Sequence, residues 1–289
     1  MTNKRILLTG ASGFIGKALK ERLESNNNQV ACLPRDNYYT PDFRDKINAL
    51  GPQIIIHAGA YGNHSTQTDD QQAFEANIVK TFLLLNDTKD IPYEAFINIG
   101  SSSEYGLKSY PMSEEDKLEP LTMYAGTKAA GTMLARVFAK KYNKPIITVR
   151  PFSVFGPGEA DHRFIPTVIR SIVKGEELKL DPNPYHDWIY VDDLVEGILA
   201  VITKAPKLAG NVVNIGTGKQ YKNQEIVSLL SFIAGKTPKI KESKLERQDS
   251  TKWMADNSLL RMCDWKPQIE LMDGLKKTYE YYKGKYDQE

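Results

Sequence analysis

Short apolar runs alternate with helical patterns through the first half of the chain. Arg5–Thr9, Gln29–Leu33, Gln53–His57 with its Ile54-Ile55-Ile56 centre, Ala95–Ile99 and Pro145–Val149 read as strands. Between them Phe14–Glu24, Ala73–Asn86 and Leu121–Tyr142 carry apolar residues at helical spacing. Strands this apolar need helices on both faces, as in a parallel sheet. Strand–helix alternation with short connections implies right-handed βαβ units, so an α/β, doubly wound parallel sheet of the Rossmann kind is predicted. After Pro151 the pattern loosens: Gly156-Pro157-Gly158 and Asp181-Pro182-Asn183-Pro184 are loop signals, and Ile189–Val191 and Val212–Ile215 are candidates to return to the sheet. Residues 1–155 and 187–217 are assigned to the sheet body. Residues 156–186 and 218–289 are assigned to a smaller, mostly helical C-terminal subdomain.

Composition narrows the partners more than the chemistry. The 289 residues hold 38 Lys+Arg against 36 Asp+Glu, a formal charge of +2, with 41% hydrophobic and 26% charged residues. That balance is ordinary for a globular protein and removes nucleic acid and anionic membranes as default partners. Cys32 and Cys263 lie far apart, which indicates neither a disulfide framework nor a cysteine metal site. The run Ile6-Leu7-Leu8 is too short for a signal-peptide core, and no segment reaches the roughly 18 apolar residues of a membrane span, so a cytoplasmic location is expected. His57 ends a buried strand and reads as a core residue. His64 and His162 have no partner at metal-ligand spacing, so no metal site is proposed. Trp188, Trp253 and Trp265 read as packing residues.

Three features carry chemistry. The first strand runs into Gly10-Ala11-Ser12-Gly13-Phe14-Ile15-Gly16 and then a helix. Gly10 suits the tight turn, Gly13 the approach of a pyrophosphate to the backbone and Gly16 close helix–strand packing, with the anion at the helix N-terminus. The end of strand two, Pro34-Arg35-Asp36, then sets the dinucleotide. Arg35 suits the 2′-phosphate of NADP, which is favoured, whereas Asp36 as a ribose acid gives NAD. Finally, Tyr124 and Lys128 stand one helical turn apart, and a cation beside a phenol favours an acid–base tyrosine. The cluster Ser101-Ser102-Ser103 follows a strand C-terminus, where a hydroxyl can hydrogen-bond a substrate carbonyl.

These motifs, with HAGA at His57–Ala60, GSSSEYG at Gly100–Gly106, RPFSVFGPGE at Arg150–Glu159, HDWIYVDDL at His186–Leu194 and the segment Arg247–Pro267, resemble the extended short-chain dehydrogenase/reductases. The resemblance is to the branch acting on nucleotide sugars, closest to the reductases that make 6-deoxy or 3,6-dideoxy sugars. It implies a triad of Ser102, Tyr124 and Lys128, with Ser101 or Ser103 as alternatives because one residue is missing between Glu104 and Tyr105. It implies cofactor contacts from Gly10, Ser12, Gly13, Phe14, Ile15, Gly16, Arg35, the adenine pair Asp42-Phe43, the wall Ala58, Gly59 and Ala60, and Asn77, Tyr124, Lys128 and Pro151. Substrate contacts fall on Ser103, Glu104, Ser153, Arg163-Phe164-Ile165 beside the nucleotide base, His186, and Arg247 at the diphosphate. The implied reaction is NADPH-dependent reduction of a nucleotide-linked 4-keto-6-deoxy or 3,6-dideoxy sugar in activated deoxysugar biosynthesis. Its alternative is an epimerase or 4,6-dehydratase that retains NAD, with Glu104 resembling the dehydratase base. The helices Ala73–Asn86 and Leu121–Tyr142 resemble those that pair as a four-helix bundle, which implies a homodimer.

Overall fold

The computed structural model describes the whole chain except residues 34–39, 41, 64–65, 244–251 and 289. Five strands lie where the apolar runs put them: β1 (Arg5–Thr9), β2 (Gln29–Leu33), β3 (Ile54–His57), β4 (Ala95–Ile99) and β5 (Ile146–Pro151). Val212–Ile215 joins them, and among the described residues the resulting six-stranded sheet is parallel throughout. The second candidate does not join. Trp188–Tyr190 pairs instead with Ser153–Phe155 as a separate two-stranded ribbon beyond the end of β5.

Side-chain alternation along these strands builds two cores. Ile6, Leu8, Ile54, Ile56, Ile97 and Val149 face one side, where they meet Leu19 and Leu23 of α1 (Phe14–Ser25) and Leu194 and Ile198 of the helix Val191–Thr203. Leu7, Ile55, Phe96 and Ile146 face the other, against Ile47 of α2 (Phe43–Leu50) and Leu84, Ala135 and Phe138. The helix predicted over Ala73–Asn86 is continuous in space but not regular. It runs as α3 (Asp70–Phe74), a π-turn over Glu75–Val79, and α4 (Lys80–Thr88). Opposite it lies α5 (Met123–Tyr142). Near the C-terminus α6 (Phe164–Lys174) and the helices Asn223–Ala234 and Leu271–Tyr286 pack on one another beside the sheet.

The strand order is Val212–Ile215, β5, β4, β3, β1, β2. From β1 the chain moves outward to β2, then returns across β1 to β3. The crevice outside the C-terminal ends of β1 and β3 is therefore a topological switch point, where such sheets present ligands.

Candidate active site

At that crevice the two strand ends touch closely enough to exclude any side chain. Gly10 has φ +73°, and a Cβ on it would lie 2.5 Å from Gly59 N and 2.6 Å from the Ala58 carbonyl. A Cβ on Gly16 would lie 2.0 Å from Gly10 O, so this glycine is needed where α1 crosses β1. Gly13 differs, because a Cβ there meets nothing nearer than Gly10 O at 3.4 Å. Packing does not require glycine at this position, whereas a ligand lying against the backbone would. Gly13 is exposed at the N-cap of α1, no side chain caps the helix, and no acidic residue sits in its first turn. Open N–H groups and the helix dipole favour an anion there. Ser12 is exposed, Phe14 and Ile15 are half-buried on the first turn, and Ala58, Gly59 and Ala60 form a partly exposed opposite wall. These residues fit the diphosphate of a dinucleotide. Arg35, with the competing Asp36, and Arg247 lie outside the described residues.

The proton-handling groups meet over the ends of β4 and α5. Thr122 caps α5, its Oγ1 accepting from Ala125 N at 3.1 Å, which sets Tyr124 in the first turn and Lys128 one turn further in. Of the three serines, Ser101 is the N-cap of the turn that follows β4, and as a hydrogen-bonding neighbour it lowers the Tyr124 pKa. Ser102, the serine expected in the triad, is only 4% exposed within a 3₁₀ turn over Ser102–Tyr105, whereas Ser101 is half-buried. Ser103 stays half-buried beside them, its N–H donating to Ser101 Oγ at 3.2 Å. Burial pushes the Tyr124 phenol up, while the Ser101 hydrogen bond and the Arg163 charge pull it back down. Lys128 is buried, and its Nζ donates to the Ile99 carbonyl at the tip of β4. Desolvation lowers its pKa to about 8, against an opposing contribution from Glu104. His57 is the core residue its position suggests: its ring nitrogens bond Thr9 Oγ1 at 2.7 Å and Thr81 Oγ1 at 3.0 Å. Burial first, then Lys128, lowers its pKa to about 3, so it stays neutral.

Glu104, expected beside the substrate, is turned into the interior. It is fully buried, with Oε1 accepting from Ser101 N at 2.8 Å and Oε2 accepting from Thr132 Oγ1 and Arg150 Nε, each at 2.9 Å. Its carboxylate faces the interior, where it fixes the Ser101 turn. Asn77 is likewise internal: its amide accepts from Tyr61 N and donates to Tyr61 O and Thr127 Oγ1 at 2.8–2.9 Å. It ties the loop after β3 to α5 and offers no free group to a cofactor. It sits on the π-turn, a distortion that often marks a functional position.

The adenine pair is only partly placed to act. Asp42 is exposed and pairs with Lys46 at 3.0 Å. Phe43 is 2% exposed in the core, and its N–H already donates to Thr40 O at 2.9 Å, so neither its ring nor its amide is presented. Ile165 is also a core residue at 0% exposure, while Phe164 stacks on Trp188 with centroids 5.9 Å apart. Ser153 and His186 do come together, Ser153 Oγ lying 3.2 Å from His186 Nδ1, beside Trp188. Pro151 ends β5 as a buried residue. Sequence reasoning missed Glu159, which shares a helical i,i+4 spacing with Arg163 and pairs with it at 3.3 Å. That spacing was the signal available.

Burial pushes the Glu159 carboxyl up to about 7, with Arg163 opposing. Because the folded value lies above the unfolded one near 4.5, Glu159 favours folding in its protonated form. That contribution is full below about pH 4.5 and is lost as pH rises through about 7. Glu159→Gln is therefore expected to stabilise the protein by about 2–3 kcal/mol at pH 8 and by almost nothing near pH 4.5. Thermal unfolding of both proteins across that window checks it.

A glycine turn made for an anion, set at a sheet switch point beside a serine–tyrosine–lysine group, defines a dinucleotide-dependent oxidoreductase of the short-chain dehydrogenase/reductase type. The chain belongs to the NAD dependent epimerase/dehydratase family, whose model matches residues 6–216. It is similar to an uncharacterized UDP-glucose epimerase, YtcB, of Bacillus subtilis (28% identity over 99% of this chain and 100% of that one). Among solved structures it resembles a UDP-glucuronic acid 4-epimerase from Bacillus cereus in complex with UDP-glucuronic acid and NAD. The TM-score is 0.89, with 28% identity over 97% of this chain and 99% of that one. RMD from Pseudomonas aeruginosa, complexed with NADPH, shares the fold (TM-score 0.88, 24% identity, 98% of this chain and 100% of that one).

Proposed function

We propose that the chain reduces the 4-keto group of a nucleotide-linked 6-deoxy or 3,6-dideoxy sugar, using NADPH. The observation that carries the chemistry is that Lys128 meets the end of β4 just before Ser101, with Tyr124 one turn earlier on the same helix, at the sheet edge where the open N-terminus of α1 also lies. When bound in the crevice, a nicotinamide dinucleotide supplies hydride to the sugar carbon. Tyr124 donates its proton to the carbonyl oxygen, Ser101 hydrogen-bonds that oxygen in both states, and Lys128 supports the phenolate that Tyr124 becomes. Residues 1–155 and 187–217 hold the cofactor, and residues 156–186 and 218–289, with Ser153 and His186, hold the nucleotide sugar. The choice of NADPH rests on Arg35 in the sequence.

A second reading, an epimerase that retains NAD, is favoured by the B. cereus neighbour, which carries NAD and a UDP-sugar. It requires the same Tyr124 chemistry run in both directions. A 4,6-dehydratase receives no support from Glu104, whose carboxylate is held by Arg150 and Thr132. The assay that decides is NADPH oxidation with CDP-, GDP-, dTDP- and UDP-linked 4-ketosugars. Consumption with one of them supports the reductase. Tightly held NAD released on denaturation, with no NADPH consumption, supports the epimerase.

A homodimer is part of the same reading. Phe74, Phe82, Met133 and Val137 stand 40–58% exposed on α3, α4 and α5, an apolar face that a second copy would cover as a four-helix bundle. Light scattering is expected to give twice the 32.6 kDa chain mass. No helix among the described residues is long and apolar enough to cross a membrane, and a cytoplasmic location is proposed with the rest.

A further inference from the structure

The loop after β3 lies against the reactive tyrosine. Gly62 has φ +102°, and a Cβ on it would lie 3.3 Å from Tyr124 Cβ and 3.5 Å from Tyr124 Cδ2, so the loop packs against the base of the tyrosine side chain with no room for a side chain between them. The next residue, Asn63, accepts through Oδ1 from Arg163 Nη1 at 3.4 Å, a contact between segments 100 residues apart. Arg163 is the N-cap of α6, and its Nε donates to Glu159 Oε1 at 3.3 Å. The base of this arm is fixed from behind. Tyr282 donates to the Glu159 carbonyl oxygen, and Lys285 and Tyr286 hold Asp161 at 2.6–3.0 Å. Glu159 Oε2 is buried without a hydrogen-bond partner among the described residues, and Arg163 is the cation that pairs with this carboxylate there.

We propose that Arg163 is a positioning residue for Tyr124: through Asn63 it holds the Gly62-Asn63 loop against the tyrosine and brings its positive charge to that side of the site. Lys128, by contrast, is engaged from beneath by the Ile99 carbonyl. The groups acting on Tyr124 are then Ser101 at the N-cap of the 3₁₀ turn, Glu104 within that turn and Arg163 from α6, with Lys128 one turn along the same helix. Those facing Arg163 are Glu159 and Asn63, with Asp161, Lys285 and Tyr282 behind Glu159. The direction agrees, since the Arg163 charge draws the phenol downward. This inference rests on the reading of Tyr124 as the acid–base group.

The test titrates Tyr124 directly. Full-length protein with tyrosine labelled at Cζ by ¹³C, with NADPH or NAD added, is followed by NMR, the Tyr124 signal being identified by its loss in Tyr124→Phe. Arg163→Gln is expected to move the Tyr124 titration upward, and Arg163→Lys to hold it near the wild-type position. In turnover, Arg163→Gln is expected to lower kcat about ten-fold at neutral pH with less change in KM, and Arg163→Lys to recover most of it. Tyr124 titrating identically in Arg163→Gln and wild type overturns the proposal, as does Arg163→Lys behaving like Arg163→Gln. If Arg163→Gln does not fold, Asn63→Ala replaces it, and an unmoved titration there overturns the proposal in the same way. A titration that moves while no 4-ketosugar is turned over supports the positioning role and counts only against the substrate reading.

Discussion

Tyr124→Phe is expected to lower kcat by about 10²–10⁴-fold while leaving dinucleotide affinity within about two-fold of wild type. The substitution removes one oxygen and keeps the ring that packs against Gly62. Among the described residues around it, Glu104 faces inward and His57 is neutral and enclosed, which leaves the phenol as the group placed to move a proton to the substrate. The diphosphate contacts predicted at Gly10–Gly16 lie on a different element, so affinity and turnover separate. Ser101→Ala is expected to follow with a smaller loss, and Ser102→Ala to leave kcat nearly unchanged. Steady-state kinetics beside calorimetric titration of the cofactor check all three.

The largest stability effect is expected at Arg150. Its guanidinium is 1% exposed, pairs with the fully buried Glu104 at 2.9 Å and lies 4.5 Å from the centroid of the Tyr105 ring. Taking both charges out of water is costly, and the pair repays that cost only while both members are present. Arg150→Met leaves the Glu104 carboxylate uncompensated, with an expected loss of about 3–5 kcal/mol. Glu104→Leu is expected to cost a comparable amount, since it strands Arg150 and also removes the acceptor of Ser101 N. The double variant is expected to recover a substantial part of the stability but not the activity, because the Ser101 turn loses its internal anchor. Chemical denaturation of the single and double variants measures this coupling.

Much of the framework was readable from the chain because it depends on local pattern. β1, β2 and β4 follow from apolar runs, and Gly10 and Gly16 sit where a strand must turn into a helix against it. What could not be read depends on contacts made across the sequence. Ser102 turns inward and Ser101 sits at the N-cap because the turn Ser102–Tyr105 is anchored by Glu104, which is held by Arg150, 46 residues later. Counting back from Gly106 points to Ser101, and counting from Glu104 points to Ser102, so spacing alone left the choice open. Phe43 and Ile165 carried motif positions yet fell into the core, since a motif fixes a residue's place in the chain and not which way its side chain turns. Arg163, expected at the nucleotide base, reaches Asn63 and acts on Tyr124, a contact between two segments whose sequences give no sign of each other.

In the proposed reaction Tyr124 works with hydride transfer at carbon 4 of a nucleotide-linked sugar. The direct measurement supplies NADPH carrying deuterium at the transferable position, together with the panel of 4-ketosugar nucleotides, and locates the label by NMR and mass spectrometry. Deuterium is expected at carbon 4 of a sugar product with wild-type protein, and almost none with Tyr124→Phe. Label absent from every sugar although cofactor binds, or transferred equally well without the Tyr124 phenol, would contradict the proposed reaction.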